Sequence, residues 1–194
     1  MYNIKLSMKL LVLIFTLKKI PKLSWSSFDA LNIKPKSITL IYLIFGLILF
    51  GLGETLLITA NAGVSPWTVL AQGISIKTSF SIGLTTFIVS ISVLCIWIPL
   101  KQKPGIGTIL NAIIISVVLY VSLPYLPTPE SFYLQILQVF IGVLIVGLGS
   151  GFYLIANLGP GPRDGLMTGL QNLTNLPIAL IRTIIEISAV IGGW

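Results

Sequence analysis

A chain of 194 residues with 55% hydrophobic and only 9% charged residues, and a mean hydropathy of +1.02, cannot cover itself with polar surface. About a quarter of an ordinary soluble chain is charged, so the bilayer must be the solvent for most of this one. One cysteine, Cys95, and no histidine exclude an internal disulfide framework and remove the ligands of the usual zinc, haem and Cys/His nucleophile sites. No metal, cofactor or catalytic residue is therefore expected, and enzymatic chemistry is not the reading.

The net charge of +7 is unevenly placed. Lys5, Lys9, Lys18, Lys19, Lys22, Lys34 and Lys36 all precede the first long apolar run. Basic residues gathered beside a first span, without interleaved aromatics, are a topology signal rather than a nucleic-acid surface. Residues 1–37 are read as a basic cytoplasmic extension. Within it, MKLLVLIFTL resembles a short signal-peptide core, but no small-residue cleavage pattern follows closely. An interfacial segment or a loosely ordered extension is the preferred reading.

The first expected transmembrane helix covers residues 38–60 and carries Glu54 two turns before its end. A carboxylate in hydrocarbon costs about 2.5–3.5 kcal/mol on insertion scales, so it is normally paired or functional; no local partner is visible. The break NAGVSP follows, with Asn61, Gly63 and Pro66. Asn can cap, Gly can turn with φ above zero, and Pro suits the first turn of a new helix. The apolar stretch 67–74 is then too short to cross.

A second span is expected over 81–100 and a third over 106–126, separated by the turn KQKPG. After a turn-rich stretch at 124–130, a fourth covers 132–156. A second break, NLGPGP, carries Asn157, Gly159 and Pro162, with Arg163 and Asp164 beyond it. Arg163 and Asp164 are expected at the cytoplasmic surface, where Asp164 would cap the following helix. The fifth span begins near Pro177 and is still apolar at Trp194. It carries Arg182 and Glu186 at i and i+4, either a helix-internal ion pair or a functional pair.

With the N-terminus cytoplasmic, Lys101, Lys103 and Arg163 fall on the same side, and the outer loops keep only Lys77 as a basic residue. The expected location is the plasma membrane of a bacterium, multi-pass, with the lipid bilayer as the first partner. A homo-oligomer or a membrane partner protein is open.

Residues 46–98 align without a gap on residues 142–194, and 16 of 53 pairs are identical. GLGETLLITANAGVSPWTVLAQG lies over GLGSGFYLIANLGPGPRDGLMTG. Shared Ala-Asn-x-Gly-x-x-Pro at one offset from Gly-Leu-Gly means duplication. Three spans separate the copies, so the second copy is expected to be inverted. The expected fold is all-α, a polytopic bundle of about five transmembrane helices built from two inverted repeats, 38–126 with three spans and 132–194 with two. The second is expected to be incomplete, as if cut from a six-span protein. Gly51, Gly53, Gly147 and Gly149, with Gly151, are expected at close helix contacts, Gly147 and Gly151 having Gly-x-x-x-Gly spacing.

The segment ANLGPGPRDGLMTGL, after GLGSG and before LPIALIR, resembles the YczE/YyaS/YitT-type bacterial integral membrane proteins. ANAGVSPWTVLAQG resembles their first copy, with Thr68 standing where that pattern has aspartate. The resemblance covers residues 38–194. It implies a multispanning bacterial membrane protein and supplies no substrate and no catalytic residues.

Two functions remain open. The paired breaks suggest a small-solute permease or carrier, its substrate unknown, with a site between the repeats around Asn61, Gly63, Pro66, Asn157, Gly159, Pro162 and Asp164. The breaks themselves are either re-entrant half-helices or interfacial ones. The alternative is a non-enzymatic accessory or scaffold protein that packs its glycine face on a partner.

Overall fold

The computed structural model describes residues 21–194, so the expectation for MKLLVLIFTL lies outside the described residues. These residues form seven helices and no strand: α1 Ser37–Thr59, α2 Pro66–Thr78, α3 Ile82–Trp97, α4 Ile106–Ser122, α5 Phe132–Ala156, α6 Pro162–Thr174 and α7 Ile178–Gly193.

Two of these, α1 and α5, are long and apolar enough to cross a membrane. The bent pair α2 and α3, turned by 116° between them, makes a third candidate. Helices α3, α4 and α7 have 16, 17 and 16 residues, shorter than the spans expected at 81–100, 106–126 and 177–194. Local chemistry limits α3 at both ends. Positive φ at Lys101 ends the stretch after α3, and Ser81 caps its start by accepting from the Leu84 amide at 3.2 Å.

Helix limits follow the 96-residue offset of the sequence. Those of α2 and α6 coincide under it, as do those of α3 and α7. So do the backbone reversals: φ is 51° at Asn61 and 52° at Asn157, 123° at Gly63 and 110° at Gly159, and 58° at Ser79 and 56° at Asn175. The expected break chemistry is present in both copies, with Pro66 and Pro162 in the first helical turn. Asparagine and glycine tolerate this left-handed region best.

Helices α1 and α5 cross through glycine. A Cβ on Gly46 would lie 2.9 Å from the Gly149 carbonyl oxygen, and one on Gly53 would lie 2.9 Å from that of Gly142. The early part of each helix thus meets the late part of the other, so they run antiparallel. Helix α4 packs alongside α1 in the same direction, with Gly51 against Val118 and Thr55 Oγ1 2.7 Å from Ser122 Oγ. Beyond these helices α2 rests on α7, and α6 rests on α3.

The glycine expectation needs correction. Gly46, Gly53, Gly142 and Gly149 make the close crossing, and Gly51 packs on α4, but nothing lies within 4 Å of a Cβ on Gly147 or Gly151. Two residues rotate a helix by about 200°, so Gly147 and Gly151 sit on the face opposite Gly149.

Residues 21–36 are tied down at one end of the bundle. The Ser27 amide donates to the Ala156 carbonyl at 3.0 Å, Asn157 Nδ2 donates to the Ser27 carbonyl at 2.8 Å, and the Trp25 ring packs on Tyr42 at a 34° tilt. Outward faces carry apolar side chains such as Ile41, Phe45, Phe140 and Leu144, as lipid contact requires. Among the described residues no buried side-chain nitrogen or oxygen lacks a hydrogen-bond partner.

Candidate functional site

Both breaks deliver the start of a short helix to the space between α1, α3, α4 and α5. Ser65 caps α2, accepting from the Thr68 amide at 3.3 Å. Thr68 Oγ1 in turn donates to Glu54 Oε2 at 3.0 Å. Glu54 is buried, 7% exposed, and this threonine is the partner that local sequence does not reveal.

In the second copy the acid changes place. Ser150 occupies the position of Glu54, and Asp164 that of Thr68. Asp164 does not cap α6: the N-cap is Gly161, without a side-chain cap bond. Instead Asp164 Oδ2 accepts from the buried Tyr153 hydroxyl at 2.6 Å, which ties the first turn of α6 to α5. Each copy therefore brings one carboxylate inward, from α1 in the first and from α6 in the second. The aspartate lacking at Thr68 is replaced by a glutamate reaching it from the neighbouring helix.

Arg163 also turns inward. Its guanidinium carbon stands 6.0 Å from the Phe50 ring centroid and 5.8 Å from that of Trp67, within cation–π range. Among the described residues it makes no hydrogen bond or salt bridge to protein; the salt bridge there is Arg182 Nε to Glu186 Oε1, 2.8 Å, the ion pair expected from their spacing.

Two cavities adjoin at this place. One, of about 450 Å³, is bounded by Glu54, Asn111, Ser150, Arg163, Asp164 and Arg182 among others. The other shares Phe50, Glu54, Asn111 and Arg163 and extends to Trp67, Thr86 and Ser90. Of the residues expected from sequence, Glu54, Pro162, Asp164 and Arg182 meet here, and Glu186 lines a small side pocket with Arg182. Asn61, Gly63, Asn157 and Gly159 shape the turns without bordering either cavity, and Pro66 begins α2 just before Trp67. Phe50, Trp67, Thr68, Asn111, Tyr153 and Arg163 were not legible as site residues. The repeat alignment carries the signal for two of them, since Trp67 and Arg163 occupy matched positions directly after the repeated proline.

Trp97 fixes the start of α6. Its ring is 2% exposed, lies over Gly165, and its Nε1 donates to the Pro162 carbonyl at 3.0 Å.

Tyr153→Phe tests the coupling of Asp164 to α5. It keeps the ring and removes the donor, so a loss of about 1.5–3 kcal/mol in unfolding free energy is expected, typical for a bond to a charged group. The cycle with Asp164→Asn should return a coupling of about 1 kcal/mol or more.

Residues 37–194 match the family of unknown function DUF6198 along their whole length. The chain belongs to that family. It is 38% identical over 175 residues to an uncharacterized protein of Haemophilus influenzae, covering 90% of this chain and 79% of that protein. It is 28% identical to the uncharacterized membrane protein YczE of Bacillus subtilis, covering 77% of this chain and 70% of YczE. It is 26% identical to YyaS of the same organism, over 72% of each. No solved structure matches. The resemblance drawn from ANLGPGPRDGLMTGL is thus correct, and with the apolar helices it makes this a helical membrane protein of an uncharacterised family.

Proposed function

We propose that the protein is a non-enzymatic carrier that moves a small polar solute across a bacterial plasma membrane, through a site between two oppositely oriented copies. The observation that carries this is the cavity of about 450 Å³ where Glu54, Arg163, Asp164 and Arg182 converge at the starts of the short helices. Ionisable groups gathered at a helix break within apolar spans are expected along a solute path. Antiparallel crossing of α1 and α5, with matched helix limits in the two copies, supports the inversion. Re-entrant breaks are favoured over interfacial ones, because Thr68 reaches Glu54 and Arg163 reaches Phe50, both inside α1 rather than at its end. Lys-rich residues before α1 support a cytoplasmic N-terminus.

The test is uptake by proteoliposomes over amino acids, sugars, organic acids, nucleosides and inorganic ions. Glu54→Gln and Arg163→Gln should each lower uptake at least tenfold while the protein still elutes as a folded species. Absence of uptake for every class would sink the proposal.

One observation favours a second reading, a scaffold for another membrane protein. Gly147 matches Gly51, which packs on α4, yet Gly147 and Gly151 face nothing. Small residues bared on a span are where another helix packs. Crosslinking from a Gly147→Cys variant in native membranes separates the two: a defined partner adduct supports the scaffold, and its absence together with uptake supports the carrier.

A further inference from the structure

The walls of the shared cavity indicate which solute it takes. Glu54 and Arg163 both border both adjoining cavities, yet they lie beyond 4.0 Å of one another and form no salt bridge. Asp164 receives one hydrogen bond, from the Tyr153 hydroxyl, and borders only one of the two cavities, while Arg182 is paired with Glu186. Glu54 receives one hydrogen bond, from Thr68, which leaves a second carboxylate oxygen without a donor. Arg163 presents up to five N–H donors and, among the described residues, gives none of them to protein. Asn111, on the same two cavities, also has an uncommitted amide among the described residues.

Two opposite charges that border the same cavities without pairing with one another are answered together only by a ligand that carries both charges. A singly charged solute would satisfy one and leave the other. A neutral one could hydrogen-bond to both but would neutralise neither. Resting on the carrier reading above, we infer that the site binds a small zwitterion, with its carboxylate on the Arg163 guanidinium and its ammonium on Glu54. The aliphatic part then lies against Phe50 and Trp67. A bidentate arginine–carboxylate pair fixes one end, and the Glu54 oxygen selects a cationic group at the other.

The experiment measures binding alone, in nanodiscs, by calorimetry and thermal shift. The probes are leucine with its one-charge analogues 4-methylpentanoate and 3-methylbutylamine, and 5-aminopentanoate with pentanoate and pentylamine. At least one zwitterion should bind tenfold or more tighter than either of its analogues. In Glu54→Gln the zwitterion and its carboxylate analogue should come within threefold, because nothing then recognises the ammonium. In Arg163→Gln the zwitterion and its amine analogue should converge instead. Retained analogue binding in each variant also reports an intact fold. The inference is overturned if no zwitterion exceeds its analogues by threefold, or if the preferences do not move in the two variants. Zwitterion binding with the expected switches but no uptake would refute carriage and leave this site standing. Uptake of a singly charged solute alone would do the reverse.

Discussion

Alanine at Gly149 is expected to unfold the protein or cost about 3 kcal/mol or more, whereas alanine at Gly147, two residues away, should be neutral or stabilising by up to about 1 kcal/mol. The new methyl at Gly149 would lie 2.5 Å from the Phe50 amide nitrogen and 2.6 Å from the Gly46 carbonyl oxygen. These are backbone atoms and cannot step aside as a side-chain end can. The helices would have to separate, and the crossing holds Glu54 opposite α6. At Gly147 the added carbon meets nothing, and alanine has the better helix propensity. Gly46→Ala should behave like Gly149→Ala, because the Gly46 methyl would approach the Gly149 carbonyl. Thermal unfolding in detergent, followed by size-exclusion, distinguishes all three.

Trp97→Ala is the second large effect. It empties the space over Gly165 and leaves the Pro162 carbonyl without its donor. Large aromatic-to-alanine changes in packed interiors cost about 3–5 kcal/mol, and the lost bond adds to that. Trp97→Phe should recover part of the packing but not the bond. Since Pro162 immediately precedes Arg163, Trp97→Phe should also weaken ligand binding while the protein stays folded. Calorimetric unfolding and nanodisc binding on the same sample separate these two consequences.

Much of this was readable from residue order, and the exceptions share a cause. The repeat, the two breaks and the left-handed asparagines and glycines follow from local chemistry, because Asn-x-Gly-x-x-Pro restricts its own backbone. The Arg182–Glu186 pair follows equally from helical spacing. Long-range partners are different in kind. Nothing along the chain says that Tyr153 answers Asp164, or that Thr68 answers Glu54, since each pair depends on how a short helix folds back. The glycines make the same point. Gly147-x-x-x-Gly151 has the familiar packing spacing, but which face of α5 meets α1 is set by Gly142 and Gly149 together with Gly46 and Gly53. Apolar residues continue past a helix end, as at Ile98 after α3, so apolar runs are longer than the helices they contain.

The proposed carrier has its two copies facing opposite sides of the membrane, and matched positions test this most directly. Lys77 and Leu173, related by the 96-residue offset, are both exposed near the ends of α2 and α6. With Cys95 replaced by alanine, Lys77→Cys and Leu173→Cys are each treated with a membrane-impermeant thiol reagent on right-side-out and inside-out vesicles. Labelling of Lys77→Cys from outside and of Leu173→Cys from the cytoplasmic side is the predicted result. Labelling of both from the same side would contradict the inversion and the site built upon it.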